Sequence, residues 1–125
     1  MQNLEIEETK FTPKIQLLQN ARLISFKGKS YPENTFAFYQ PVIVWIKKYF
    51  ENIKEETTVE FDVPYFNSSS SKLFFDIFDM LEEAVLDECN IVINWYYDKE
   101  NEIAKEAGED FKEDFETLKI NLKKK

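Results

Sequence analysis

Apolar residues recur along this chain with two different periods, and the switches between them mark out its elements. Ile15 and Leu17 alternate with Lys14 and Gln16, and after a turn at Gln19-Asn20-Ala21 the run Leu23 to Gly28 returns. A period of two puts every second side chain on one face of a strand, so this stretch predicts an opening β-hairpin. Residues 1–11 set acids around Leu4 and Ile6 and read as a loose lead-in or a short edge strand. Ser30-Tyr31-Pro32-Glu33-Asn34 then breaks the alternation, with Ser30 or Asn34 as a candidate helix cap. Phe38, Val42, Trp45, Ile46, Tyr49 and Ile53 follow at spacings of three and four, the period of a helix with one buried face. Pro41 lies within that run and is expected to start its regular part or to kink it.

The second half repeats this logic. From Thr58 to Phe66, Val59, Phe61, Val63 and Tyr65 fall on one side of a predicted strand, and Glu60 and Asp62 on the other. Leu73, Phe74, Ile77, Phe78, Leu81, Ala84 and Val85 predict a helix from Ser70 to Glu88. The β-rich run Ile91 to Tyr97 completes a strand, helix, strand unit, which calls for parallel neighbours and a right-handed crossover. Asp98 is a candidate cap for a shorter acidic helix closing at Gly108, with one more turn at Asp110 to Phe115. Leu118, Ile120 and Leu122 alternate in a possible last strand. The expected fold class is α/β: one domain over residues 1–125, with a small mixed β-sheet, an opening hairpin, two main helices and a shorter C-terminal helix.

Composition supports a packed domain and narrows its partners. Of the 125 residues, 43% are hydrophobic and 16% aromatic, enough to fill one core. Sixteen basic residues against 24 acidic ones give a formal charge of −8, which opposes nucleic acid and anionic membranes as partners. The basic run Lys123 to Lys125 reads as a solvated tail. One cysteine, Cys89, rules out an intramolecular disulfide, suits a reducing compartment and is expected as a packing residue. Met1 to Lys10 lacks the apolar core of a signal peptide, and no apolar run approaches the roughly 18 residues of a spanning helix. The expected location is cytoplasmic.

The chemistry available is narrower still. There is no histidine, so Ser-His-Asp and Cys-His nucleophile systems and histidine metal sites cannot be built. A single cysteine removes thiolate zinc sites, and two glycines cannot supply a phosphate loop or a dinucleotide fingerprint. No cofactor or metal is expected. Asp76, Asp79 and Glu83 recur at helical spacing and form a row, which suits a solvated face or a docking surface. An enzyme that uses carboxylates and a divalent ion is the competing class, and it would need those acids to converge.

What remains is Asn67-Ser68-Ser69-Ser70-Ser71, at the join of the predicted strand and the longest helix. Serines here can cap the helix, contributing about 1 kcal/mol. They can also carry a phosphate, whose charge of about −1.5 to −2 the positive end of a helix tolerates or favours.

Several motifs resemble one known family. They are Ser30-Tyr31-Pro32-Glu33-Asn34 with Phe36-Ala37-Phe38-Tyr39 and Pro41; Asp62 with Tyr65 through Lys72; Trp95-Tyr96-Tyr97-Asp98; and Gly108-Glu109-Asp110-Phe111. Across nearly the whole chain they resemble the SiaC family of bacterial regulatory phosphoproteins, which are similar to the STAS domains of anti-anti-sigma factors. The resemblance implies a STAS-like fold and a non-enzymatic protein. It implies a phosphorylation site at the start of the second helix, here Ser68, with Ser69 and Ser70 as fallback acceptors. That position is often Thr in the family, and Ser keeps the hydroxyl. The implied partners are a serine/threonine kinase, a PPM-type phosphatase and a diguanylate cyclase activated by the unphosphorylated form, which would couple Ser68 to cyclic di-GMP and biofilm behaviour. Asn67, Ser69, Ser70, Asp76 and Asp79 are the expected partner-binding residues. The alternative within binding modules is an anti-anti-sigma-like protein that captures an anti-sigma kinase.

Overall fold

Among residues 2–125, which the computed structural model describes, six strands and three helices follow one another. Their order is β1 (Leu4–Ile6), β2 (Lys14–Leu18), β3 (Leu23–Lys27), α1 (Thr35–Asn52), β4 (Thr57–Asp62), α2 (Ser68–Leu86), β5 (Ile91–Tyr97), α3 (Glu102–Asp114) and β6 (Lys119–Lys124). The strands lie in one sheet in sequence order. β1, β2 and β3 pair antiparallel through short links, whereas β3 to β6 pair parallel because a helix returns the chain each time. The expected hairpin is β2–β3. Most of the expected lead-in becomes edge strand β1 and its link to β2, and only Met1 lies outside the described residues.

Register explains the two-sided pattern. Leu17, Ile24, Val59, Ile93 and Ile120 are partners across five strands, and all are buried. Phe26, Phe61 and Trp95 form a second row of the same face. On it, Phe61 stacks with Phe78 of α2, and Trp95 packs against Phe111 of α3. The opposite face carries Gln16, Ser25, Glu60, Asn94 and Asn121 in register, where Asn121 Nδ2 donates to Asn94 Oδ1 at 3.2 Å. Alternation therefore sorts apolar from polar side chains as a sheet covered by helices on one face requires.

Several local expectations change. The strand expected over Thr58 to Phe66 stops at Asp62, and Tyr65 is 52% exposed. Pro64 has no N–H for the ladder, and the chain turns away there toward α2. In α1 the inner stripe is Tyr39, Val42, Trp45, Ile46, Tyr49 and Phe50, while Phe38 and Ile53 are only half-buried. Pro41 does not start α1, which begins at Thr35 and runs through it.

The largest difference concerns Gly108. It lies inside α3 and not at its end, and the turn expected at Asp110 to Phe115 is the same helix continuing to Asp114. A Cβ at Gly108 would stand 2.5 Å from Trp95 Cδ1, so glycine is what lets α3 seat on the indole. The seat is fixed from the other side by Trp95 Nε1, which donates to the Ala104 carbonyl at 2.9 Å. Asn101 and not Asp98 caps this helix, and Asp98 closes the preceding turn by accepting from Glu100 N.

Candidate functional site

Because α1, α2 and α3 each follow a strand of the parallel set, all three begin at the same end of the sheet, beyond the strand C-termini. Each start is built alike. Asn34 Oδ1 accepts from Ala37 N at 3.1 Å, Asn67 Oδ1 from Ser70 N at 2.9 Å, and Asn101 Oδ1 from Ala104 N at 3.1 Å. The serines expected to cap α2 do not do so, because the side chain of Asn67 takes that role. Ser30 likewise leaves the α1 cap to Asn34.

The serine run is thereby divided. Ser68 and Ser69 hold the first two positions of α2 and are exposed, and Ser71 is half-buried. Ser70 is 0% exposed, and its hydroxyl lies 2.8 Å from that of Ser30, which lies 2.7 Å from the Tyr39 hydroxyl. Ser70, expected as a fallback acceptor and a partner-binding residue, is thus enclosed where the sequence reading had it accessible. Its side chain is spent inside the fold. Burial pushes the Tyr39 phenol far above its ordinary value, with the Ser30 hydrogen bond pulling the other way, so the cluster is neutral.

Ser30 also ties down the backbone that precedes α2. Its N–H donates to the Tyr65 carbonyl at 2.9 Å, its carbonyl accepts from Asn67 N at 3.1 Å, and it forms a parallel bridge with Phe66. Gly28, at φ +125°, makes the turn that delivers Ser30 there, a conformation that a side chain would strain. Asn101 Nδ2 donates to the Pro64 carbonyl at 2.8 Å, which holds the same loop from the α3 side.

Asp76, Asp79 and Glu83 are all exposed, and among the described residues no group of three or more Cys, Asp or Glu is placed to hold a metal ion. Asp76 borders a cleft between the starts of α1 and α2 that is shared with Phe36, Asn67, Ser69 and Lys72. Asn67 is half-buried and already committed to its cap. Three apolar residues at this end stand out to solvent, which the sequence reading did not anticipate: Phe36 is 72% exposed, Ile103 79% and Tyr65 52%. Phe36 is in helical line with buried Tyr39, and Ile103 with buried Phe111, so periodicity alone assigns both to the core.

Comparison with known proteins gives concordant results. The chain matches the family described as SiaC family regulatory phosphoprotein over residues 6–125. It is 36% identical over 114 residues to an uncharacterized protein of Pseudomonas aeruginosa strain UCBPP-PA14, covering 91% of this chain and 90% of that one. Its structure is similar to SiaC of Pseudomonas aeruginosa, with a TM-score of 0.93, 31% identity and complete coverage of both chains. It is also similar, with a TM-score of 0.92, 33% identity and coverage of 98% and 99%, to a chain in the crystal structure of diguanylate cyclase SiaD in complex with its activator SiaC from Pseudomonas aeruginosa.

Proposed function

The chain belongs to the SiaC family of regulatory phosphoproteins, and from that premise we propose that it is a phosphoswitch whose acceptor is Ser68 and whose unphosphorylated form binds and activates a diguanylate cyclase. The observation that carries the assignment is the division of the serine run. Ser68 is exposed at the first position of α2, next to a cap that does not use its hydroxyl. Ser69 is the fallback acceptor. The likeness to a diguanylate cyclase activator supports the effector class, with cyclic di-GMP and biofilm behaviour as the output. A serine/threonine kinase and a PPM-type phosphatase set the state of the switch, as the family resemblance implies.

The physical consequences of phosphate at Ser68 differ inside and outside the domain. At the first position of a helix, two negative charges face the positive end of the dipole, and the fold keeps its stability. Across an interface, burying that unpaired charge costs about 2 to 5 kcal/mol, a loss of roughly 30- to 5,000-fold in affinity. The contacted surface consists of Ser68 and Ser69 with Asn67 at the cap, Asp76 and Asp79 on the exposed side of α2, and the apolar side chains of Phe36, Tyr65 and Ile103.

The test is binding and cyclase activation by Ser68→Asp and Ser68→Ala variants of the full chain. Ser68→Asp stays folded and loses its effector, while Ser68→Ala binds and activates constitutively. Equal binding by the two variants, or recovery of an anti-sigma kinase in place of a cyclase, would overturn the proposal.

A further inference from the structure

We propose that Ser30, Tyr39 and Ser70 form a positioning lock that holds the first turn of α2, so that Ser68 is presented in one geometry and Ser70 is denied to the kinase. This rests on Ser68 being the acceptor and adds to it the reason why one serine of a run is selected.

The three hydroxyls form a chain of two hydrogen bonds in which each has a partner. Ser30 Oγ stands between Ser70 Oγ at 2.8 Å and Tyr39 OH at 2.7 Å, and all three residues are 0% exposed. A helix start does not need this arrangement, as α3 shows. The position matching Ser70 there is Ala104, equally buried and equally hydrogen-bonded through its N–H to the cap, with no hydroxyl at all. Fully burying a hydroxyl is unfavourable unless it is paired, so hydroxyls at 30, 39 and 70 make sense as a set and not singly. Each belongs to a different segment: the link after β3, the body of α1 and the first turn of α2. The set therefore joins two helices at the spot where Ser30 also bridges Phe66 through its backbone. With Ser70 held inward, Ser68 and Ser69 are turned outward by the 100° step of the helix.

The lock does not act as a general stabiliser spread over the domain. Its hydroxyl contacts join α1 and α2, and the start of α3 meets the same loop only through Asn101 and the Pro64 carbonyl. Its loss should loosen one helix start and spare the other.

The test follows amide hydrogen exchange in the full-length wild type, in Ser30→Ala and in Ser70→Ala, comparing the α2 start (positions 67, 70 and 71) with the α3 start (Ala104, Lys105). In Ser30→Ala, which leaves two buried hydroxyls unpaired, exchange at the α2 start should quicken on the order of tenfold or more while the α3 start stays within about twofold. Equal acceleration of both starts means a merely structural role and overturns the proposal, as does no change at either. If Ser30→Ala does not fold, Ser70→Ala, which cuts the tie to α2 and leaves Ser30 paired with Tyr39, carries the same exchange comparison. In phosphopeptide maps of protein from the native cell, wild type should carry phosphate on Ser68 and not Ser70, with Ser70 becoming modified in Ser30→Ala. Phosphate on wild-type Ser70 overturns the lock. Phosphate on no serine of the run overturns the acceptor assignment instead, and the exchange comparison then decides the lock by itself.

Discussion

The starts of α2 and α3 share one backbone solution and differ in what it carries. Both have an asparagine cap bonded to the N–H three residues on. At the first helical position α2 has Ser68, whereas α3 has the acidic Glu102. At the third position α2 has Ser70 on a buried hydroxyl chain, whereas α3 has buried Ala104. The difference separates two questions that a serine run confuses. Glu102 shows that this fold accepts a negative charge at the first position of a helix, as the dipole argument requires. Ala104 shows that the third position needs no hydroxyl to make a cap. Ser68 therefore stands where a charge can be added at little cost, and Ser70 where it cannot.

Charge placement gives the largest expected break in this comparison. Ser70→Asp puts a carboxylate among buried hydroxyls and should cost about 3–5 kcal/mol, whereas Ser68→Asp, which copies Glu102, should stay within about 0.5 kcal/mol of wild type in urea unfolding. Equal losses would mean that the two positions are not as different as their burial says.

The alkaline limb of stability is the next test. The Tyr39 phenol, with an ordinary value of 10.0, is held neutral in the fold with a raised pKa. Above that ordinary value the unfolded chain loses this proton and the folded chain keeps it, so stability falls as pH rises, and it is fully present below. The slope from one such group is about 1.4 kcal/mol per pH unit, and Tyr39→Phe should remove it from the stability profile above pH ~10. Tyr49 is also raised by burial and titrates in both proteins, so the difference between the profiles isolates Tyr39.

The smallest effect sharpens the part the two starts share. Asn67→Ala and Asn101→Ala should each cost about 1 kcal/mol in thermal or urea unfolding, because each removes one cap acceptor. A much larger loss at Asn101 would point to its second bond, to the Pro64 carbonyl, as the stronger tie.

What could be read in the sequence was whatever local periodicity governs. The β2–β3 hairpin, the inner stripe of α2 and the alternation of β4 are each decided within about ten residues, so pattern was sufficient. Gly108 was misread because glycine after an apolar run is the local rule for a helix end, and the reason it is glycine, the ring of Trp95, lies on another element. The four serines could not be told apart by type. Burial of Ser70 depends on Ser30, 40 residues away in sequence, and only the fold brings them together. Exposure of Phe36 and Ile103 is equally non-local, because it depends on which elements the fold places against them. The family motifs pointed to the end of the molecule where the three helices start, and the geometry divided the serine run.

Phosphopeptide mapping of residues 58–80, on protein isolated from its native cell in conditions where the effector is active and where it is silent, tests the central claim most directly. Phosphate is expected on Ser68 in the silent state and absent from it in the active state. Ser68 unmodified under all conditions would contradict it.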